Sequence, residues 1–116
     1  LILLENQVPA VPVLRTYMKP QNHYVEIDLS GAAAVTITDS RAFLARLGIH
    51  GEIIATPGHS DDSITLVLDE GAAFVGDLTH PLAVAGDATL LRSWEKVRSL
   101  GVKTIYPGHG PVWHLD

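Results

Sequence analysis

Ile54-Ala55-Thr56-Pro57-Gly58-His59 and Thr104-Ile105-Tyr106-Pro107-Gly108-His109 each run from a β-prone segment into the same Pro-Gly-His turn. Proline has no N–H to donate, so it stops a strand ladder; glycine permits a sharp backbone turn; the histidine is then presented on a loop at a strand end. Phe74-Val75-Gly76-Asp77 treats a carboxylate in the same way. In a protein of strands and helices, such residues converge when their strands are neighbours in a sheet.

Outward from these turns, the chain reads as strands interleaved with helices. Residues 64–68 and 72–75 form a hairpin around Asp69-Glu70-Gly71. Asp39-Ser40 offers N-caps for a helix with Phe43, Leu44 and Leu47 on one face, and Gly48 supplies the left-handed residue that ends it. From Asp87 to Leu100, helical spacing puts Leu90, Leu91, Trp94, Val97 and Leu100 on one face, with Gly101 closing the helix. Trp94 is expected in the core, and residues 102–106 make the last strand. Nearer the start, residues 24–29 and 34–38 read as a hairpin turned by Ser30-Gly31. Residues 1–20, with Pro9, Pro12 and Pro20, read as the end of a helix followed by a connection.

The 116 residues suit one domain, 1–116, and their 47% hydrophobic content supplies a packed core. Eight basic residues against thirteen acidic ones give a net charge of -5 without a basic cluster, which argues against nucleic-acid binding. The absence of cysteine removes disulfides and thiolate ligands, leaving histidine and carboxylate as the strong metal donors. No apolar run approaches the ~20 residues that span a bilayer. No membrane association is expected, and the expected location is the cytoplasm.

His59, Asp77 and His109 together offer two imidazoles and a carboxylate, a set that suits zinc or a similar divalent ion. Taken singly, each is more readily a hydrogen-bonding or capping turn residue. Thr56-Pro57-Gly58-His59-Ser60, Phe74-Val75-Gly76-Asp77-Leu78 and Tyr106-Pro107-Gly108-His109-Gly110, in this order and spacing, resemble the last three metal motifs of the metallo-β-lactamase superfamily. The resemblance covers roughly residues 49–112. It implies the C-terminal portion of an αββα sandwich, an α/β fold with a mixed β-sheet and flanking helices. It also implies a role for each residue: His59 completes a first metal site, Asp77 bridges two metals and His109 binds the second. One anion between two cations offsets their repulsion. The implied activity is hydrolysis of a small-molecule ester, thioester, lactam or phosphoester by a metal-bound hydroxide, with two zinc ions in the complete site and iron or manganese as alternatives.

The sequence also departs from that pattern. The family's motif of two histidines one residue apart, followed by an Asp-His pair, does not occur in residues 1–58, where His23 and His50 are isolated. The chain starts on Leu1, and its only methionine is Met18. The expectation is a domain lacking its N-terminal half, with weak or absent metal binding and no appreciable hydrolysis on its own. Self-association through an exposed core or sheet edge is expected too. The competing reading is a non-catalytic binding or structural module with a degenerate metal site.

Several further polar residues have two readings. Ser60, Asp61, Asp62 and Ser63 either orient His59 or close a turn. Ser60 is a poor nucleophile candidate, because Gly58-His59-Ser60-Asp61-Asp62 lacks the second glycine of a nucleophile elbow. His80, three residues past Asp77, either lines the same mouth or is an ordinary loop histidine, and Trp113 is left open. His114 is not expected to be a ligand. Specificity is expected from loops such as residues 79–87.

Overall fold

A computed structural model describes every residue except Val84, so the part of the specificity stretch 79–87 that falls on it lies outside the described residues. The chain forms two compact units, Leu1–Thr36 and Ile37–Asp116.

In the first unit, β1 (Ile2–Leu4) pairs in parallel with β2 (Ala33–Val35), Leu3 opposite Ala34. Between them lie 3-10 helices at Glu5–Tyr17 and Pro20–Asn22. The helix end expected in residues 1–20 is therefore a strand followed by 3-10 turns. Pro9 and Pro12 lack the N–H groups that an α-helical ladder would require there. The hairpin expected from residues 24–29 and 34–38 does not form: β2 takes β1 as its partner, and residues 24–29 are irregular. A β-prone run becomes a strand only where a partner edge is available, and Val25 is left exposed. The Ser30-Gly31 turn is present. Ser30 hydrogen bonds, side chain first and backbone second, hold the Asp28 carboxyl below its ordinary pKa, and Gly31 takes a φ of 77°.

The second unit is a five-stranded mixed sheet with flanking helices, as expected. Its strands are β3 (Gly51–Ala55), β4 (Ile64–Leu68), β5 (Ala72–Gly76), β6 (Thr104–Pro107) and β7 (Trp113–His114), in that spatial order. β5 and β6 are parallel and the other neighbours antiparallel. A parallel pair needs a crossover, and α2 (Ala88–Ser99) is part of it.

The Asp87 carboxylate accepts the Leu90 N–H at 3.0 Å, capping α2 as its sequence predicts. Leu90, Trp94 and Val97 are buried and pack with Ile54, Val67, Ala73, Val75 and Ile105. Leu91 and Leu100 do not share that face; each is 41% exposed. At about 100° per residue Leu91 is turned well away from Leu90, and Leu100 falls at the helix end. Ser93 is buried in their stead. The strand period of two turns Phe74 and Tyr106 to the opposite face, where their rings stack at 4.8 Å and stay partly exposed.

α1 (Ser40–Arg46) closes the outer edge of β3. The Ser40 hydroxyl accepts the Ile53 N–H at 3.0 Å and donates to the Ile37 carbonyl at 2.7 Å, which satisfies an edge donor without a further strand. The helix ends as predicted at Gly48: Gly48 N–H donates to the Ala45 carbonyl and Ile49 N–H to that of Leu44, both at 3.0 Å.

Candidate metal centre

β3 and β5 are each antiparallel to β4, and β5 is parallel to β6, so β3, β5 and β6 all point the same way. Their C-terminal ends therefore lie at one end of the sheet, the usual place for ligands in α/β folds. His59, Asp77 and His109 follow these three ends. The sheet brings together the three residues singled out in sequence.

Their geometry centres on the carboxylate. His109 Nε2 lies 3.3 Å from Asp77 Oδ1, and His59 Nε2 lies 3.9 Å from Asp77 Oδ2. Each imidazole thus addresses a different carboxylate oxygen. All three border an open cavity of about 640 Å³ that is also lined by Leu78, His80 and Trp113.

Two partly buried hydrogen bonds from adjacent residues of α2 hold the ligand-bearing loops. Ser93 Oγ donates to the Pro57 carbonyl at 2.7 Å, fastening the turn before His59. Trp94 Nε1 donates to the Thr79 carbonyl at 2.8 Å, fastening the segment after Asp77. The hairpin behind His59 is tied by a buried hydrogen bond between the Thr56 and Thr65 hydroxyls, at 2.8 Å. Sequence reading missed Ser93; its one available signal was a small hydroxyl within the apolar face of α2.

The repeated Pro-Gly-His turn has a tertiary reason at its second copy. Gly108 N–H donates to the Gly76 carbonyl at 2.7 Å, binding the Asp77 and His109 turns together. A Cβ on residue 108 would sit 3.1 Å from Asp77 Oδ1 and 3.2 Å from the Gly76 carbonyl. Gly108→Ala is expected to displace the Asp77 carboxylate and destabilise the chain by about 1–2 kcal/mol, the scale of mild overpacking. A changed Asp77 Cγ resonance together with a lower urea midpoint would bear this out; an unchanged resonance would refute it.

The remaining polar residues sort clearly. Ser60 Oγ donates to Asp62 Oδ1 at 2.7 Å and pairs with Ser63 Oγ at 2.8 Å, so these residues close their own turn. His80 lines the cavity with its ring against Trp113, while His114 lies in β7 opposite Thr104.

The donors fit a divalent metal in chemistry and spacing. Two ligands at about 2.0–2.1 Å from a tetrahedral ion stand roughly 3.3–3.4 Å apart; His109 and Asp77 match this at 3.3 Å, and His59 is somewhat wider at 3.9 Å. The count is short. Among the described residues no group of three or more His, Cys, Asp or Glu is arranged to hold one ion. Each candidate position thus has one imidazole plus the shared carboxylate, where a catalytic zinc has three protein ligands.

No family model matches the chain. It is similar to the "Lactamase-like protein nscB" of Neosartorya fischeri, 35% identical over 106 residues, which is 88% of this chain and 32% of that protein. The "Beta-lactamase-like protein 2 homolog" of Drosophila melanogaster is 37% identical over 68 residues, 56% of this chain and 23% of its own length. The "Atrochrysone carboxyl ACP thioesterase" of Aspergillus fumigatus is 36% identical over 80 residues, 66% of this chain and 25% of that protein. The chain spans less than a third of the length of each of these relatives.

Proposed function

We propose that this chain, which belongs to the metallo-β-lactamase superfamily, supplies one side of the metal centre of a hydrolase. The observation that carries this reading is the placement of His59 and His109 on different oxygens of Asp77, after the C-terminal ends of β3, β5 and β6. His59 and His109 would each hold one divalent ion through Nε2, with Asp77 shared between them. Zinc suits these donors, as do iron and manganese. Such an ion, when bound, would lower the pKa of a coordinated water toward about 7.

The chain's own contribution is placement. Ser93 and Trp94 hold the loops, and Gly108 lets the Asp77 and His109 turns meet. The remaining ligands would come from outside these 116 residues. The substrate is a small molecule with an ester-like bond. A thioester leads among ester, thioester, lactam and phosphoester, because one relative carries the name of a thioesterase.

The test compares this chain with the complete protein on a panel of aryl esters, acyl thioesters and phosphodiesters, with and without chelator. The expected result is no turnover and weak metal binding by the chain, and chelator-sensitive turnover by the complete protein. Tight binding of two metal ions by the chain alone would overturn the shared-site reading. A complete protein that neither binds metal nor turns over any substrate would favour a binding module.

A further inference from the structure

The reaction cavity has a second wall that the metal ligands do not use. His80 follows Asp77 by three residues, and its Nδ1 accepts the Leu82 N–H at 3.2 Å. An imidazole whose Nδ1 accepts a hydrogen bond carries its proton on Nε2 when neutral, so the ring offers one N–H donor and no free acceptor. The ring lies against Trp113, with centroids 4.4 Å apart and planes tilted by 45°. Trp113 in turn rests on Trp94 at 5.4 Å.

This support is anchored at both ends. Trp94 is fully buried, and its indole N–H holds the Thr79 carbonyl, one residue before His80. Trp113 belongs to β7, paired with Ile105 of β6. One buried tryptophan therefore braces both the backbone that carries His80 and the ring that His80 packs against. His80 and Trp113 both border the 640 Å³ cavity shared with His59, Asp77 and His109.

We propose that His80 and Trp113 form a recognition subsite for a flat, conjugated acyl group that bears a hydrogen-bond-accepting oxygen. Aromatic rings favour a planar partner in offset or edge-on contact over a saturated one of equal size. The single donor at Nε2 selects an acceptor oxygen on that group, and Leu78 supplies apolar lining beside it. Asp77 on the same cavity disfavours an added negative charge close to it unless cations are bound. As a statement about substrate, the proposal rests on the hydrolase reading: the conjugated group would be the acyl side of the bond that is cleaved.

Equilibrium dialysis of the full chain, with chelator present, tests the wall by itself. The probes are 2-acetylnaphthalene, which is flat and carries an acceptor, its saturated analogue 2-acetyldecalin, and naphthalene. The flat ketone is expected to bind about fivefold tighter than the saturated one, the ratio of one good aromatic contact. His80→Phe, which keeps a ring but loses the donor, is expected to weaken 2-acetylnaphthalene about fivefold and naphthalene little. His80→Gln, which keeps an N–H donor, is expected to recover most of that loss. Trp113→Leu is expected to erase the preference for the flat probe. Equal binding of the two ketones, or unchanged binding in His80→Phe, overturns the proposal, and both remain readable if Trp113→Leu fails to fold. Failure of the probes to bind as expected would not bear on whether the complete protein shows chelator-sensitive hydrolysis, and absence of that hydrolysis would not bear on probe binding. The two readings therefore fail separately.

Discussion

Asp77→Asn in the complete protein is expected to lower kcat for the proposed metal-dependent hydrolysis by about a thousandfold or more, corresponding to roughly 4 kcal/mol of transition-state stabilisation. The expectation follows from the position of Asp77 between His59 and His109, with one carboxylate oxygen toward each. Asparagine keeps the size and shape but replaces one oxygen with an NH₂ that cannot bind a cation, and it removes the charge that offsets repulsion between two ions. Bound metal per protein should fall together with kcat. The far-ultraviolet circular dichroism should not change, because Asp77 is exposed and lies outside the hydrophobic core. Metal content and turnover near wild-type levels would remove Asp77 from the centre. A parallel loss of secondary structure would instead make its role structural.

The largest effect on stability is expected from Trp94→Ala. The side chain is fully buried among Ile54, Val75, Leu90, Val97 and Ile105, so its loss opens a large cavity. Replacing a buried tryptophan by alanine costs about 3–5 kcal/mol, and the Thr79 carbonyl also loses its donor. Small domains are stable by only about 5–15 kcal/mol. Trp94→Ala should therefore bring the chain close to unfolding in dilute urea. Trp94→Phe keeps most of the packing and loses the hydrogen bond, for an expected cost of about 1–2 kcal/mol. Urea melts of both variants followed by circular dichroism provide the measurement. If Trp94→Ala stays within 1 kcal/mol of the parent, the core is not organised around this residue.

Much of the second unit was legible because its signals are local. Asp87 caps α2 and Gly48 ends α1 through bonds that span only a few residues, so chemistry at the element ends suffices to place them. The β4–β5 hairpin is equally local. Residues 24–29 misled because a β-prone run carries no information about its partner, and the partner of β2 turned out to be β1, near the start of the chain. Leu91 and Leu100 misled because apolar character alone does not establish which residues a curved helix face buries. Ser93 was hidden for the complementary reason: a lone serine on a helix has no local mark of burial, and only the Pro57 carbonyl opposite it gives the hydroxyl a purpose.

For the site, the order and spacing of the Pro-Gly-His turns and of Gly76-Asp77 determined which donors stand at strand ends and which family the chain resembles. Those are properties of short segments, since proline and glycine act on the backbone where they stand. That the three residues meet was decided only by the tertiary structure, because the parallel alignment of β3, β5 and β6 depends on how distant strands pair. The tertiary structure likewise decided that a side chain at Gly108 would crowd Asp77, that Ser93 and Trp94 tie the loops, and that His80 leans on Trp113. These are contacts between residues far apart in the chain, and no single segment encodes a distance to another.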